Sequence, residues 1–90
     1  MKNLAVFLRI HGQVQGVCYR ASAQLKAKNL GLMGWIKNSI NGTVESHVEG
    51  SKEKIETYID WCYHGPPAAS VSKVELNWIL PEGHENFSIK

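Results

Sequence analysis

The chain has few of the residues that mark the more specialised protein classes. Only two of its 90 residues are cysteines, Cys18 and Cys62, and they lack the CxxC spacing of a zinc site or a thioredoxin-like motif. No apolar run approaches the roughly 18 residues of a membrane-spanning helix, and the apolar stretch at the N-terminus is too short for a secretory signal. We therefore expect a cytoplasmic protein with reduced thiols and no membrane contact.

An excess of charge of one sign is also lacking. The formal net charge is +2, and the lysines are spread along the whole chain. A nucleic-acid-binding protein usually gathers its basic residues on one face, so we expect no nucleic-acid partner. Hydrophobic residues make up 43% and charged residues 20%, as in an ordinary globular domain. A chain of this length suits one hydrophobic core, which predicts a single domain over residues 1–90.

The first third of the chain predicts a strand followed by a helix. Apolar residues alternate with others from Leu4 to Ile10, which is the period of a half-buried strand, and Gly12 is expected to end it. After Arg20, small residues recur at helical spacing, which predicts a helix. Gly31 can end this helix, because glycine readily adopts the left-handed conformation that follows many helices. This thin stripe of small side chains suits close packing of the helix on a sheet.

Residues 33–49 predict a β-hairpin. Strands at 33–38 and 43–49 flank the pair Asn41-Gly42, which tolerates the positive φ angles of a type I′ turn. On the second strand, one face is expected to carry Val44, Ser46 and Val48.

The second half of the chain predicts a helix and two more strands. Ser51 is the expected N-cap of the helix, and Gly65-Pro66-Pro67 ends it. Alternation around 74–78 predicts a strand, and a short strand closes the chain. The element order predicts an α+β fold of the ferredoxin-like, split βαβ type, with an antiparallel sheet and both helices on one face.

The segment GQVQGVCYR, from Gly12 to Arg20, joins the first strand to the first helix. Glycines allow successive amides to turn inward, and the free N–H groups of a helix N-terminus favour anions. The segment contains neither GxGxxG nor the Lys-Ser/Thr of a Walker loop. Taken alone, it fits an anion site and a plain strand-to-helix turn equally well.

Several motifs resemble those of the acylphosphatase family. The segment 12–20 is similar to that family's loop GxVQGVx(F/Y)R, and the stretches 34–38 and 41–45 resemble its GWVxNxxDGxVE. Residues 65–71 and 87–89 are similar too, so the resemblance covers nearly the whole chain. His11, at a position that is often aromatic, and Asn41, in place of a frequent aspartate, depart from the pattern at positions without a chemical role.

The resemblance implies an enzyme that hydrolyses acyl phosphates to a carboxylate and inorganic phosphate, without metal or cofactor. Arg20 would bind the phosphoryl group, and Asn38 would orient the attacking water. A permanently charged, planar guanidinium suits phosphate, and phosphoryl transfer depends mainly on positioning and electrostatic stabilisation. The backbone amides of the loop would form the phosphate cradle, which comprises Gln15, Gly16, Val17, Cys18, Tyr19 and Arg20.

The remaining reactive side chains are expected to have no chemical role. Cys18 lacks an apparent histidine base and Cys62 falls on the core side of the second helix. The histidines lack metal-ligand spacing and predict surface or packing positions. They are His11, His47, His64 and His84.

The alternative function is a ferredoxin-like module that holds phosphate or another anion without turnover. Anion capture alone would not need a water-positioning amide, so the presence of both Arg20 and Asn38 favours the enzyme. The expected partners are a small-molecule acyl phosphate and the phosphate product, and a monomer is the expected state.

Overall fold

The computed structural model describes residues 3–90, which form five strands and two helices. Met1 and Lys2 lie outside the described residues. In chain order, the elements are β1 (Leu4–Gln13), α1 (Tyr19–Asn29), β2 (Met33–Asn38), β3 (Val44–Gly50), α2 (Lys52–Cys62), β4 (Ser70–Ile79) and β5 (Phe87–Ile89).

The strands form one sheet in the order β4-β1-β3-β2-β5. β1 pairs antiparallel with β3 and β4, and β2 pairs antiparallel with β3. The predicted α+β, ferredoxin-like fold is confirmed. The terminal strand adds a feature that the element order alone did not reveal: β4 and β5 lie at opposite edges, and β5 runs parallel to β2. The sheet is therefore mixed.

Both helices pack on one face of the sheet, where the hydrophobic core lies. β3 contributes the predicted trio Val44, Ser46 and Val48 to this face, all fully buried. The Ser46 hydroxyl is hydrogen-bonded to the Tyr58 hydroxyl of α2 at 3.0 Å, so the one polar side chain of the trio is satisfied. None of the helices described here is long and apolar enough to cross a membrane.

The other side of the sheet, which we call the open face, carries a buried polar group. His47 and Glu49 of β3 point to it and are only 2% and 3% exposed. The chain between β4 and β5 crosses this face, and the backbone N–H groups of residues 82–84 donate to the Glu49 carboxylate. Burial alone would raise the pKa of Glu49, but these bonds and one from His47 lower it to about 2.

The predicted type I′ turn of the hairpin is wrong. Asn41 does not adopt a positive φ, whereas Gly42 does, at 92°. The Gly42 N–H donates to the Ser39 carbonyl at 3.2 Å, and the Ser39 N–H donates to the Thr43 carbonyl at 2.8 Å. These bonds define a three-residue loop, a type I turn followed by a left-handed glycine. The Asn41 side chain supports it by accepting from the Thr43 hydroxyl at 2.7 Å.

The bounds of the first strand and helix also differ from the expectation. β1 continues past Gly12 to Gln13, with an irregular register between His11 and Gly12 where it pairs with β4. α1 begins at Tyr19, so Arg20 lies inside its first turn. This position matters for the site, because a first-turn side chain projects from the end of the helix whose N–H groups are free.

Candidate active site

The segment between β1 and α1 holds its backbone in an unusual conformation. Gly16 has a φ of 77°, and Cys18, the residue before the helix, has a φ of 65°. Cys18 is the one non-glycine residue with positive φ among residues 3–90. Left-handed residues in a short loop allow successive amides to face the same side, as an anion cradle requires.

The positive end of the α1 dipole is not neutralised by a side chain of the helix. No side chain caps it, and no acidic residue lies in its first turn. Within residues 15–22, the backbone N–H of Ser22 donates to the Cys18 carbonyl at 3.1 Å, which is the first backbone bond of the helix. The preceding N–H groups carry the partial positive charge of the helix end, which favours an anion here.

Gln15 joins this segment to the β2–β3 hairpin. Its side-chain N–H₂ donates to the carbonyl oxygens of Ser39 at 2.7 Å and Thr43 at 2.9 Å. Ser39 directly follows Asn38 in the chain. The side chain of Gln15 therefore fixes the position of the loop relative to the end of β2 and does not face the cradle.

Tyr19 anchors the other end of the loop in the core. Its ring is 1% exposed, and its hydroxyl donates to the Cys62 carbonyl at the end of α2, at 2.7 Å. Burial strongly raises the pKa of the Tyr19 phenol, so the hydroxyl remains a donor at neutral pH. Gly65 packs closely against the same ring. A Cβ at residue 65 would lie only 2.7 Å from the Tyr19 ring, so the absence of a side chain there makes room for it.

A cavity of about 170 Å³ opens beside this loop. It brings Arg20 of α1 and Asn38 of β2 together with Gly16 and Cys18 of the loop and with Tyr19, the first residue of α1. The two residues proposed for catalysis are thus neighbours in one cavity, although they come from different elements.

Asn38 and Arg20 have side-chain groups that the protein leaves free. The Asn38 Oδ1 atom is buried and accepts no hydrogen bond, the one such side-chain atom found in the stretch from residue 3 to 90. Arg20 is half-buried, and among the described residues it forms no ion pair. A buried acceptor without a partner costs free energy unless water or a ligand satisfies it.

The cavity does not include every residue predicted for the loop. Val17 packs against the hydrophobic core, and neither Val17 nor Gln15 lines the cavity. Three apolar lining residues were missed: Val14, Ala21 and Ile89. These residues carry no reactive group, and the only sequence signal for them was their position beside or within the motifs that resemble the family's.

A comparison with protein families decides the assignment. The family model for acylphosphatase matches residues 6–89. The chain belongs to the acylphosphatase family. It is 46% identical to an acylphosphatase of Thermococcus kodakarensis over 99% of this chain and 98% of that one. The prediction of an enzyme of this kind is confirmed.

Solved structures agree with the family. An acylphosphatase from Coxiella burnetii superposes with a TM-score of 0.95 at 35% identity, covering 98% of this chain and 93% of that one. An acylphosphatase from Bacillus subtilis superposes with a TM-score of 0.94 at 32% identity, covering 97% and 98%. The fold described above is therefore the fold of acylphosphatases.

Proposed function

We propose that the protein hydrolyses the carboxyl–phosphate bond of acyl phosphates, that Arg20 binds the phosphoryl group and that Asn38 orients the attacking water. The observation that carries this proposal is the buried, unpartnered Asn38 Oδ1 in the same cavity as Arg20. Membership of the acylphosphatase family supports the hydrolysis of acyl phosphates, and the shared cavity supports the roles of Arg20 and Asn38.

The phosphoryl group is held by two kinds of positive charge. The unpaired Arg20 guanidinium offers a planar fork that grips two phosphoryl oxygens at once. The amides at the uncapped N-terminus of α1 and in the preceding loop, residues 15–20, take the remaining oxygens. Both remain in place as negative charge spreads over the equatorial oxygens, so they stabilise the transition state without rearrangement.

Asn38 acts on the nucleophile. Its Oδ1 accepts a hydrogen bond from the water and so turns a water lone pair toward phosphorus. An amide cannot take up a proton at neutral pH, so the water is oriented rather than deprotonated by the enzyme. The leaving group is a weakly basic carboxylate, which departs without a strong general acid. The products are the carboxylate and inorganic phosphate.

The reaction needs no metal ion in this proposal. Protein sites for Zn²⁺ or Mg²⁺ are built mainly on carboxylates, imidazoles or thiolates, and the residues that line the cavity include no carboxylate and no imidazole. Its one thiol, Cys18, has no second ligand beside it in the cavity. Arg20 and the helix end supply the positive charge that Mg²⁺ supplies in many phosphoryl-transfer enzymes.

Phosphate release from benzoyl phosphate, measured in the presence of EDTA, tests the proposed function. We expect turnover that saturates with substrate and is inhibited competitively by inorganic phosphate. Tight phosphate binding without turnover would instead establish the alternative, an anion-binding module. A cytoplasmic location and a monomeric state stay predictions alongside this function.

A further inference from the structure

The open face carries two histidines and two glutamates that the proposed reaction does not use. His47 and Glu49 belong to β3, whereas Glu82 and His84 belong to the segment between β4 and β5 that crosses this face. None of the four lines the catalytic cavity. The residues form two neighbouring imidazole–carboxylate pairs.

The donor atoms of His47, Glu49 and His84 lie in one small volume, and Glu82 lies beside the two histidines. His47 Nε2 lies 2.7 Å from Glu49 Oε2, and His84 Nε2 lies 2.9 Å from Glu82 Oε1. The two pairs are linked by a distance of 4.0 Å between His47 Nε2 and Glu82 Oε1. The donor atoms of His47, Glu49 and His84 all lie within 4.8 Å of one another. Donors around a tetrahedral Zn²⁺ are about 3.3 Å apart, given metal–ligand bonds near 2.0–2.1 Å. Changes of up to about 1.5 Å in separation therefore bring His47, Glu49 and His84 to this spacing.

Backbone hydrogen bonds and ring contacts hold these donors in place. Glu49 is fixed by the backbone N–H groups of residues 82–84, two of them donating to Oε1 at 3.1 Å. The His47 ring stacks on Trp35, with 6.1 Å between ring centroids, and the His84 ring meets it edge-on at 5.0 Å. Supports of this kind raise metal affinity because the ligands need little ordering when the ion binds.

We propose that His47, Glu49, Glu82 and His84 form a binding site for one divalent cation of the zinc class, separate from the catalytic cavity. Two neutral imidazoles and two carboxylates carry two negative charges, which one divalent ion neutralises. Imidazole nitrogen favours Zn²⁺, Co²⁺ or Ni²⁺ over Mg²⁺ and Ca²⁺, which prefer oxygen ligands.

The bound ion would connect β3 to the crossing segment. In its absence, hydrogen bonds from the N–H groups of residues 82–84 provide the described link to Glu49. An ion with one ligand pair on each side would fasten the segment more firmly. Its effect is therefore expected on the stability of the fold, and not on the chemical step.

Titration of the full chain, prepared without a histidine tag, tests the site. Zn²⁺ is followed by calorimetry and Co²⁺ by its visible absorption, which distinguishes tetrahedral from octahedral coordination. We expect one ion per chain, a tetrahedral Co²⁺ spectrum and a rise in Tm of at least about 10 °C at a hundredfold excess of Zn²⁺ over Kd.

Substitutions separate this site from ordinary surface binding. His84→Gln and Glu82→Gln change side chains that are 28% and 61% exposed, so both variants should fold. Each should weaken binding by at least about tenfold. The control is His11→Gln, which removes the histidine of an exposed pair with Glu75 at 2.6 Å and should leave binding unchanged. Absence of saturable binding, or binding that His84→Gln retains, would overturn the proposal.

Discussion

The side-chain amide of Gln15 donates a 2.7 Å hydrogen bond to the carbonyl of Ser39, the residue that follows Asn38. A second bond, to the Thr43 carbonyl, completes the contact. The loop that is proposed to bind phosphate is thereby tied to the strand end that is proposed to hold water. This side chain therefore adds to the sheet a direct link between the two halves of the site.

Gln15→Glu removes the two donors while keeping the size of the side chain. The carboxylate would face two carbonyl oxygens, so the loop and the hairpin should separate. We expect kcat for benzoyl phosphate to fall by about tenfold to a hundredfold, because small misplacements of reacting groups have effects of this size. KM should change less, since Arg20 and the loop amides remain. Equal kcat in a folded Gln15→Glu variant would show that Gln15 has no positioning role.

The two cysteines should differ sharply in reactivity. Burial raises the pKa of Cys62 to about 12, and its side chain is fully buried. Cys18 is exposed. Since the thiolate is the reactive form, iodoacetamide at pH 8 should label Cys18 alone in the native protein and both cysteines after unfolding, as mass spectrometry would show. Labelling of Cys62 at a similar rate would contradict its position in the core.

Cys18 lines the cavity but has no proposed chemical role, so Cys18→Ala should retain kcat within a few fold. The substitution keeps a side chain at the left-handed position, and the loop conformation is retained. Cys18→Gly should be more stable than Cys18→Ala by about 1 kcal/mol, because glycine adopts positive φ without strain. Loss of turnover in folded Cys18→Ala would instead identify the thiol as a participant in catalysis.

Glu49→Gln should destabilise the fold by about 2–3 kcal/mol at neutral pH. The variant loses the charge of a buried acceptor that receives three backbone N–H groups and turns an amide donor toward some of them. Urea unfolding measures the change. The matched control is Glu75→Gln, whose partner is His11 on the surface and whose effect should stay within about 0.5 kcal/mol. Similar losses in both variants would refute the role of the buried carboxylate.

Much of the fold could be predicted because local patterns report on burial. Alternation located β1 and β4, and the Asn41-Gly42 pair located the hairpin of β2 and β3. Ser51 caps α2 as expected, with its hydroxyl accepting from the Lys54 N–H at 3.4 Å. The turn type at Asn41-Gly42 was mispredicted, because Asn-Gly also fits a longer loop in which only the glycine is left-handed. The parallel pairing of β5 with β2 has no local signal, since it depends on where the chain goes after β4.

The candidate site could also be predicted from the sequence only in part. The resemblance located Arg20 and Asn38 because charged and amide side chains stand out in a motif. It could not reveal that the Gln15 side chain bonds to the hairpin, or that Ile89 of β5 lines the cavity, because both facts depend on tertiary contacts. His47 and His84 lack metal-ligand spacing in the sequence, and only the chain crossing of the open face brings them together.

The central claim is that Arg20 binds phosphate while Asn38 acts only on the nucleophile. Calorimetric titration of inorganic phosphate into Arg20→Ala and Asn38→Ala, with benzoyl phosphate kinetics on the same preparations, tests it most directly. The control is Arg9→Ala, because Arg9 is the only other arginine and is paired with Glu45 at 3.0 Å, away from the cavity.

Arg20→Ala should lose phosphate affinity and lower kcat/KM by at least about a hundredfold. Asn38→Ala should lower kcat by a similar factor and bind phosphate within a few fold of the unmodified protein, since the water matters only as the bond forms. Arg9→Ala should keep both properties. If Asn38→Ala loses phosphate affinity as completely as Arg20→Ala, Asn38 belongs to the phosphate cradle and the proposed division of roles is wrong.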